Sequence, residues 1–100
     1  MSSFHVIFSP EAESHLEEMR QYIASQNSPE IANGYVDRII RHCLKLGEMP
    51  HRGTMHEELR PGLRTIPFDR RMTIAFAVVG YTVEVLAIAY AGRDLANLLR

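Results

Sequence analysis

Arginine dominates the side chains of this sequence that can take part in chemistry. Ten of the eleven Lys and Arg residues are arginine, and Lys45 is the single lysine. A guanidinium is planar, permanently charged and able to hold a carboxylate or phosphate through two parallel hydrogen bonds. Arg60 and Arg64 bracket Pro61-Gly62, Arg70 and Arg71 precede an apolar run, and Arg93 follows the last such run. If the segments they border are neighbouring strands, these cations gather near the ends of one sheet. Two readings stay open. In one, the arginines form a site for a phosphate or an acidic partner. In the other they are solvated and loosely paired with Asp69, Glu84 or Asp94, each pair worth less than ~1 kcal/mol.

The other chemistry-bearing residues carry weaker signals. His51 and His56 lie five apart beside Glu57 and Glu58, whereas a zinc site calls for three or four ligands at helical or tight-pair spacing. They read as solvated loop histidines. His5, His15 and His42 are scattered and receive no role. Cys43 is the only cysteine, which excludes both a disulfide framework and a cysteine-based metal site. It falls on the apolar face of an expected helix, where a small buried side chain is the ordinary outcome. No metal and no cofactor are expected.

These residues must be positioned by local elements, and the punctuation is clear. Phe4–Phe8 reads as a short strand ending at Ser9-Pro10-Glu11, which combines an N-cap, a proline at the first helical position and an acid facing the helix dipole. Ala12, Leu16, Met19 and Ile23 then recur at steps of four, three and four along one helix face. Ser28-Pro29-Glu30 repeats the start signal. Ala32, Tyr35 or Val36, Ile39, Cys43 and Leu46 mark a second face, with Gly47 expected as the glycine that ends the helix. Two amphipathic helices joined by a few residues form an antiparallel hairpin. Gly47–Pro61 lacks a period and reads as a loop. Leu63–Phe68 reads as a strand whose Pro67 implies an exposed edge. Met72–Val79 and Thr82–Ala89 follow, joined at Gly80-Tyr81 by an expected type II′ turn. Leu95, Leu98 and Leu99 lie on one side of a short final helix.

The expected architecture is therefore α+β, in the order β-α-α-β-β-β-α. A helical hairpin packs on a small, mainly antiparallel sheet, with a short C-terminal helix and one domain over residues 1–100. The 100 residues, 46% of them hydrophobic, suffice for one core but leave little stability to spare. The net charge of −1 argues against a general nucleic-acid binder. The two halves differ, because residues 1–50 carry a balance of −3 and residues 51–100 one of +2. The apolar stretch Ile74–Val79 is far short of the ~20 residues of a membrane helix. With no leader pattern at the start, a cytoplasmic location away from any membrane is expected.

Set in order, the segments resemble a known family. Phe8-Ser9-Pro10-Glu11-Ala12 opens the first helix, Tyr22-Ile23-Ala24 lies near its end and Ala32 opens the face of the second. Leu46 to Pro50 with Gly53 follows, then Leu59-Arg60-Pro61-Gly62-Leu63-Arg64. Met72–Val79 and Val83-Glu84-Val85-Leu86-Ala87-Ile88-Ala89-Tyr90 complete the set. Together they resemble the RelE/ParE superfamily of toxins from type II toxin–antitoxin pairs, and within it the ParE branch, from Phe4 to about Asp94.

That resemblance implies two alternative activities. RelE-like members are ribosome-dependent nucleases that cut messenger RNA. ParE-like members poison DNA gyrase, trapping cleaved DNA without doing the chemistry themselves. Of the RelE pattern, Arg71 and Arg93 match. The lysines before the first hairpin strand are missing, Arg52 being the firm cation there, and the C-terminal tyrosine falls where Leu98 and Leu99 stand. Two cations without a general acid or base do not make a nuclease. The reading is thus a ParE-like protein that binds gyrase and contacts no specific nucleic acid, with an RNA-cleaving enzyme as the alternative. Candidate target-binding residues are Arg60, Arg64, Arg70, Arg71, Tyr90 and Arg93. The resemblance also implies a ParD-like antitoxin that docks a helical and partly extended segment. Candidates for that contact are Met19, Tyr22 and Tyr35 on the outward helix sides, Pro67 at the sheet edge, and Leu95, Leu98 and Leu99.

Overall fold

The computed structural model describes residues 3–90 and 94–99. Its elements follow the expected order: β1 (His5–Phe8), α1 (Pro10–Gln26), α2 (Pro29–Leu44), β2 (Thr54–Met55), β3 (Arg64–Phe68), β4 (Met72–Val79), β5 (Thr82–Tyr90) and α3 (Leu95–Leu98). Both Ser-Pro-Glu signals work as caps. The Ser9 hydroxyl accepts from the Ala12 N–H at 3.1 Å and the Ser28 hydroxyl from the Ile31 N–H at 3.2 Å. Each satisfies a donor that the first helical turn leaves without a partner.

The strands lie in the order β1-β5-β4-β3-β2, with β1 parallel to β5 and the other pairs antiparallel. The helical hairpin covers one face. Its stripe of Ala12, Leu16, Met19, Val36, Ile39, Cys43 and Leu46 meets Ile66, Met72, Ile74, Phe76, Val83, Val85 and Ile88 of the sheet. On the other face, Leu63, Ala75, Leu86 and Ala87 form a smaller cluster under Leu95, Leu98 and Leu99. At the β4–β5 turn Gly80 alone has positive φ, 61°, as a type II′ turn requires.

A bulge in β5 decides how α1 meets the sheet. Phe76 pairs with Val85 and Ala75 with Ala87, which leaves Leu86 unopposed. Leu86 and Ala87 consequently both join the second cluster while Val85 and Ile88 join the first. Beyond the end of β1, residues of α1 and its cap take over the ladder. The Ser9 N–H donates to the Val85 carbonyl at 2.9 Å, and the Ser9 hydroxyl donates to the Leu86 carbonyl at 3.1 Å. The Ile88 N–H donates to His15 Nδ1 at 3.1 Å. This last bond requires an unprotonated Nδ1. Replacing His15 with leucine strands the Ile88 donor and is expected to destabilise the fold by about 1–3 kcal/mol. Urea unfolding should show a lower midpoint at unchanged slope, whereas His5→Leu at an exposed position should stay within about 0.5 kcal/mol.

Several expectations are corrected. The segment from Gly47 to Pro61 contains β2, whose two residues are too few to display a period. Gly47 does not end α2 in a left-handed conformation. The helix stops at Leu44 and tightens into a 3-10 turn over Lys45–Gly47. Glycine is needed there for space, since a Cβ would lie 2.6 Å from the Phe4 carbonyl oxygen. The final helix is a single turn, capped by Asp94. Among the described residues no helix is long and apolar enough to cross a membrane.

Candidate functional site

The sheet separates the candidate arginines. Because β3 and β4 are antiparallel, Arg64 pairs with Phe76 and Phe68 with Met72. Arg64 is therefore ~13 Å from the β3–β4 turn along its strand, and its guanidinium donates to the His51 carbonyl at 2.7 Å. Arg60 lines a different cavity, of about 310 Å³, with Glu11, Glu84, Leu98 and Leu99 near the start of α1. The expectation that all these cations gather at one place is thus corrected: antiparallel pairing sends the two ends of β3 to opposite ends of the sheet. Arg93 lies outside the described residues.

Arg70 and Arg71 do come together with Tyr90. The β3–β4 turn, the last residue of β5 and the facing ends of α1 and α2 enclose a cleft of about 500 Å³. It is lined by Ile23, Asn27, Ile31, Tyr35, Asp69, Arg70, Arg71 and Tyr90. Its floor is tied together by the Tyr35 hydroxyl, which donates to Asp69 Oδ2 at 3.1 Å. Burial, and then the hydrogen bond and charge of Asp69, hold the Tyr35 phenol above the usual tyrosine range, with Arg38 acting in the opposite sense. Tyr35 accordingly keeps its proton at neutral pH and serves as a donor, not as a base. The Arg38 guanidinium lies 5.5 Å from the Tyr35 ring centroid and fixes the ring from outside.

The turn that presents the arginines is strained. Asp69 and Arg70 have φ of 55° and 68°, a left-handed pair that aspartate tolerates and a bulky side chain does not. Both Arg70 and Arg71 are exposed, as is Ile31 across the cleft. Exposed guanidinium groups, tyrosines and an apolar rim around a concavity form the composition of a protein-binding hot spot.

The remaining candidates fall in several places. Tyr22 is 59% exposed on α1. Met19 is 7% exposed and packs in the main core. Its place among the outward residues is corrected, because it shares the apolar stripe of Ala12, Leu16 and Ile23. Pro67 is exposed at the edge of β3, where β2 covers only Arg64 and Thr65. It brings no N–H to that edge, and His42 hydrogen-bonds its backbone. Leu95, Leu98 and Leu99 are partly buried against the second cluster. Burial pushes the Cys43 thiol up to about 12, so it is an unreactive core side chain. His56 stitches its loop together, Nδ1 meeting Glu58 at 3.2 Å and Nε2 meeting Thr65 Oγ1 at 2.9 Å.

Sequence reasoning missed Asp69 as a ligand of Tyr35 and missed the roles of His15 and His42. His15 had a usable signal, since it stands three residues after Ala12 and four before Met19 on the buried stripe.

The fold and cleft define a small α+β domain with arginine and tyrosine side chains gathered at one concavity. Comparison with known proteins gives the family. The model for the ParE toxin of the type II toxin–antitoxin system, parDE, matches residues 6–95. The chain belongs to this ParE toxin family. No curated protein matches the sequence. Among solved structures, a chain of the chromosomal ParDE TA system from P. aeruginosa is similar. Its TM-score is 0.77 at 21% identity, over 89% of this chain and 97% of that one. A chain of the toxin–antitoxin complex RelBE2 from Mycobacterium tuberculosis has a TM-score of 0.63 at 14% identity, over 90% and 93%.

Proposed function

We propose that the protein is a growth-inhibiting toxin that binds DNA gyrase in the cytoplasm and is neutralised by a ParD-like antitoxin. Membership of the ParE family, matched from residue 6 to 95, carries the reading. The cleft supports it, because Arg70, Arg71 and Tyr90 converge there beside a phenol that holds its proton. Such a set can grip an anionic or polar surface. Tyr35, a candidate for the antitoxin contact, lines the same cleft as three candidates for the target contact. An antitoxin seated on Tyr35 therefore covers the target-binding arginines and neutralises the toxin by occupying its site.

The test pairs two assays on the protein purified without a partner. Gyrase supercoiling should be inhibited and DNA breaks should accumulate, while RNA in a translating ribosome reaction stays intact. Arg71→Gln should weaken the gyrase effect about 30-fold, the loss of one central arginine contact. Cleaved RNA with unaffected gyrase would replace this reading by the RelE-like nuclease.

A further inference from the structure

A third concavity lies along α2 beside the cleft, where Arg38 and Phe68 both meet the Tyr35 ring. Its volume is about 250 Å³ and it is lined by Arg38, Arg41, His42, Lys45 and Phe68. The first, second and fourth of these stand at spacings of three and four along the helix, so they form one straight row about 10.5 Å long. The Arg38 guanidinium is 5.7 Å from the Phe68 ring centroid and the His42 ring is 5.0 Å from it. Phe68 thus serves as a platform for the Arg38 cation.

The cations of this face make no direct ion pair. Among the described residues, none of Arg38, Arg41, Lys45 and Arg52 lies within ion-pair distance of a carboxylate. The nearby helix has the reverse character. Glu11, Glu13, Glu17 and Glu18 lie on α1, and its single cation, Arg20, is paired to Glu17 at 2.6 Å. α1 therefore carries a balance of −3, whereas in α2 Glu30 and Asp37 offset Arg38 and Arg41 in number, so the net charge of −1 hides how the cations are placed. His42 senses the field. Burial first, and then the charges of Arg52 and Lys45, lower its pKa, against a hydrogen bond to the Pro67 backbone that raises it.

We propose that this face of α2 is a track for the phosphate backbone of a B-form DNA duplex, contacted without reading its sequence. A duplex strand carries one charge per nucleotide, and three cations in line can each neutralise one phosphate. A protein partner would need an apolar anchor pocket, and the one large apolar side chain here, Phe68, is already covered by Arg38 and His42. Basic side chains in line along a helix, flanked by an aromatic ring, are the electrostatic footprint of backbone binding. The face needs neither gyrase nor the ribosome for this contact, so the proposal stands or falls apart from the assays above.

The experiment is fluorescence anisotropy of the full chain with a labelled 20-base-pair DNA duplex of arbitrary sequence. Affinity should fall roughly 40-fold between about 50 and 200 mM salt, the slope set by three neutralised phosphates. The combined variant Arg38→Gln, Arg41→Gln and Lys45→Gln should lose at least about 10-fold in affinity and most of the slope, while its cooperative melt shows that the fold is kept. A second variant, Ser14→Glu, Gln21→Glu and Gln26→Glu, makes the same change in net charge at exposed positions of α1. It should bind nearly as the parent does. Equal losses in the two variants would overturn the proposal, because net charge alone would then explain binding. Tighter binding of an RNA duplex, or of a polyglutamate peptide, would overturn the assignment to DNA.

Discussion

Replacing Arg70 with glycine is expected to raise the melting temperature by a few degrees while weakening target binding about 30-fold. The two effects have one cause. Arg70 holds φ at 68° directly after Asp69 at 55°, and a left-handed backbone costs a residue with a side chain roughly 1–2 kcal/mol. Glycine adopts that conformation freely, and Asp-Gly is a preferred pair for such a turn. The larger freedom of glycine in the unfolded chain takes back ~0.5–1 kcal/mol, leaving a net gain of up to about 1 kcal/mol. A residue that strains its own turn persists because its side chain is used, and this guanidinium stands at the mouth of the cleft with Arg71 and Tyr90. Arg71→Gln separates the terms. Arg71 has no positive φ, so its loss should weaken binding without a stability gain. Melting curves and gyrase inhibition on both variants decide the matter. A less stable Arg70→Gly protein would show that the turn is not strained, and unchanged inhibition would show that Arg70 does not touch the target.

Much of this layout is legible in the sequence because local chemistry and tertiary packing agree. The repeated Ser-Pro-Glu, followed each time by apolar residues at helical spacing, specifies two capped helices and the face each buries. Gly80, between two apolar runs, specifies the β4–β5 turn. The β5 bulge is not legible. Val85 to Ala89 is apolar throughout and buried on both sheet faces, so one extra residue leaves no mark on a pattern that has no alternation to break.

The site was only half legible for a different reason. Chain order groups Arg60 and Arg64 with Arg70 and Arg71, whereas a hairpin places its turn and its open end at opposite ends of the strands. Tyr35 and Asp69 are 34 residues apart, and nothing in either neighbourhood announces the pairing. The basic row on α2 was present in the sequence at helical spacing but cancelled in the overall charge. Charge averaged over a chain excludes a uniformly basic surface. It does not exclude a basic face opposed by an acidic one.

The largest effect on stability is expected at Phe76, where Phe76→Ala should cost about 3–5 kcal/mol. Phe76 is fully buried and lies opposite Val85 at the edge of the bulge, in the cluster joining both helices to the sheet. A domain of this size has a total stability of only ~5–15 kcal/mol, so the variant loses a large share of it and melts at least about 12 °C lower. Val79→Ala tests the placement. Val79 ends the same strand yet is 67% exposed, and its truncation should change stability by less than about 0.5 kcal/mol. Both melts must be recorded without a partner, because anything that binds only the folded state adds to its apparent stability. A tight antitoxin adds the same increment to both proteins, so the Phe76→Ala complex is expected to melt above the free variant and still below the parent complex. Equal melting of the two free variants would place Phe76 outside the core.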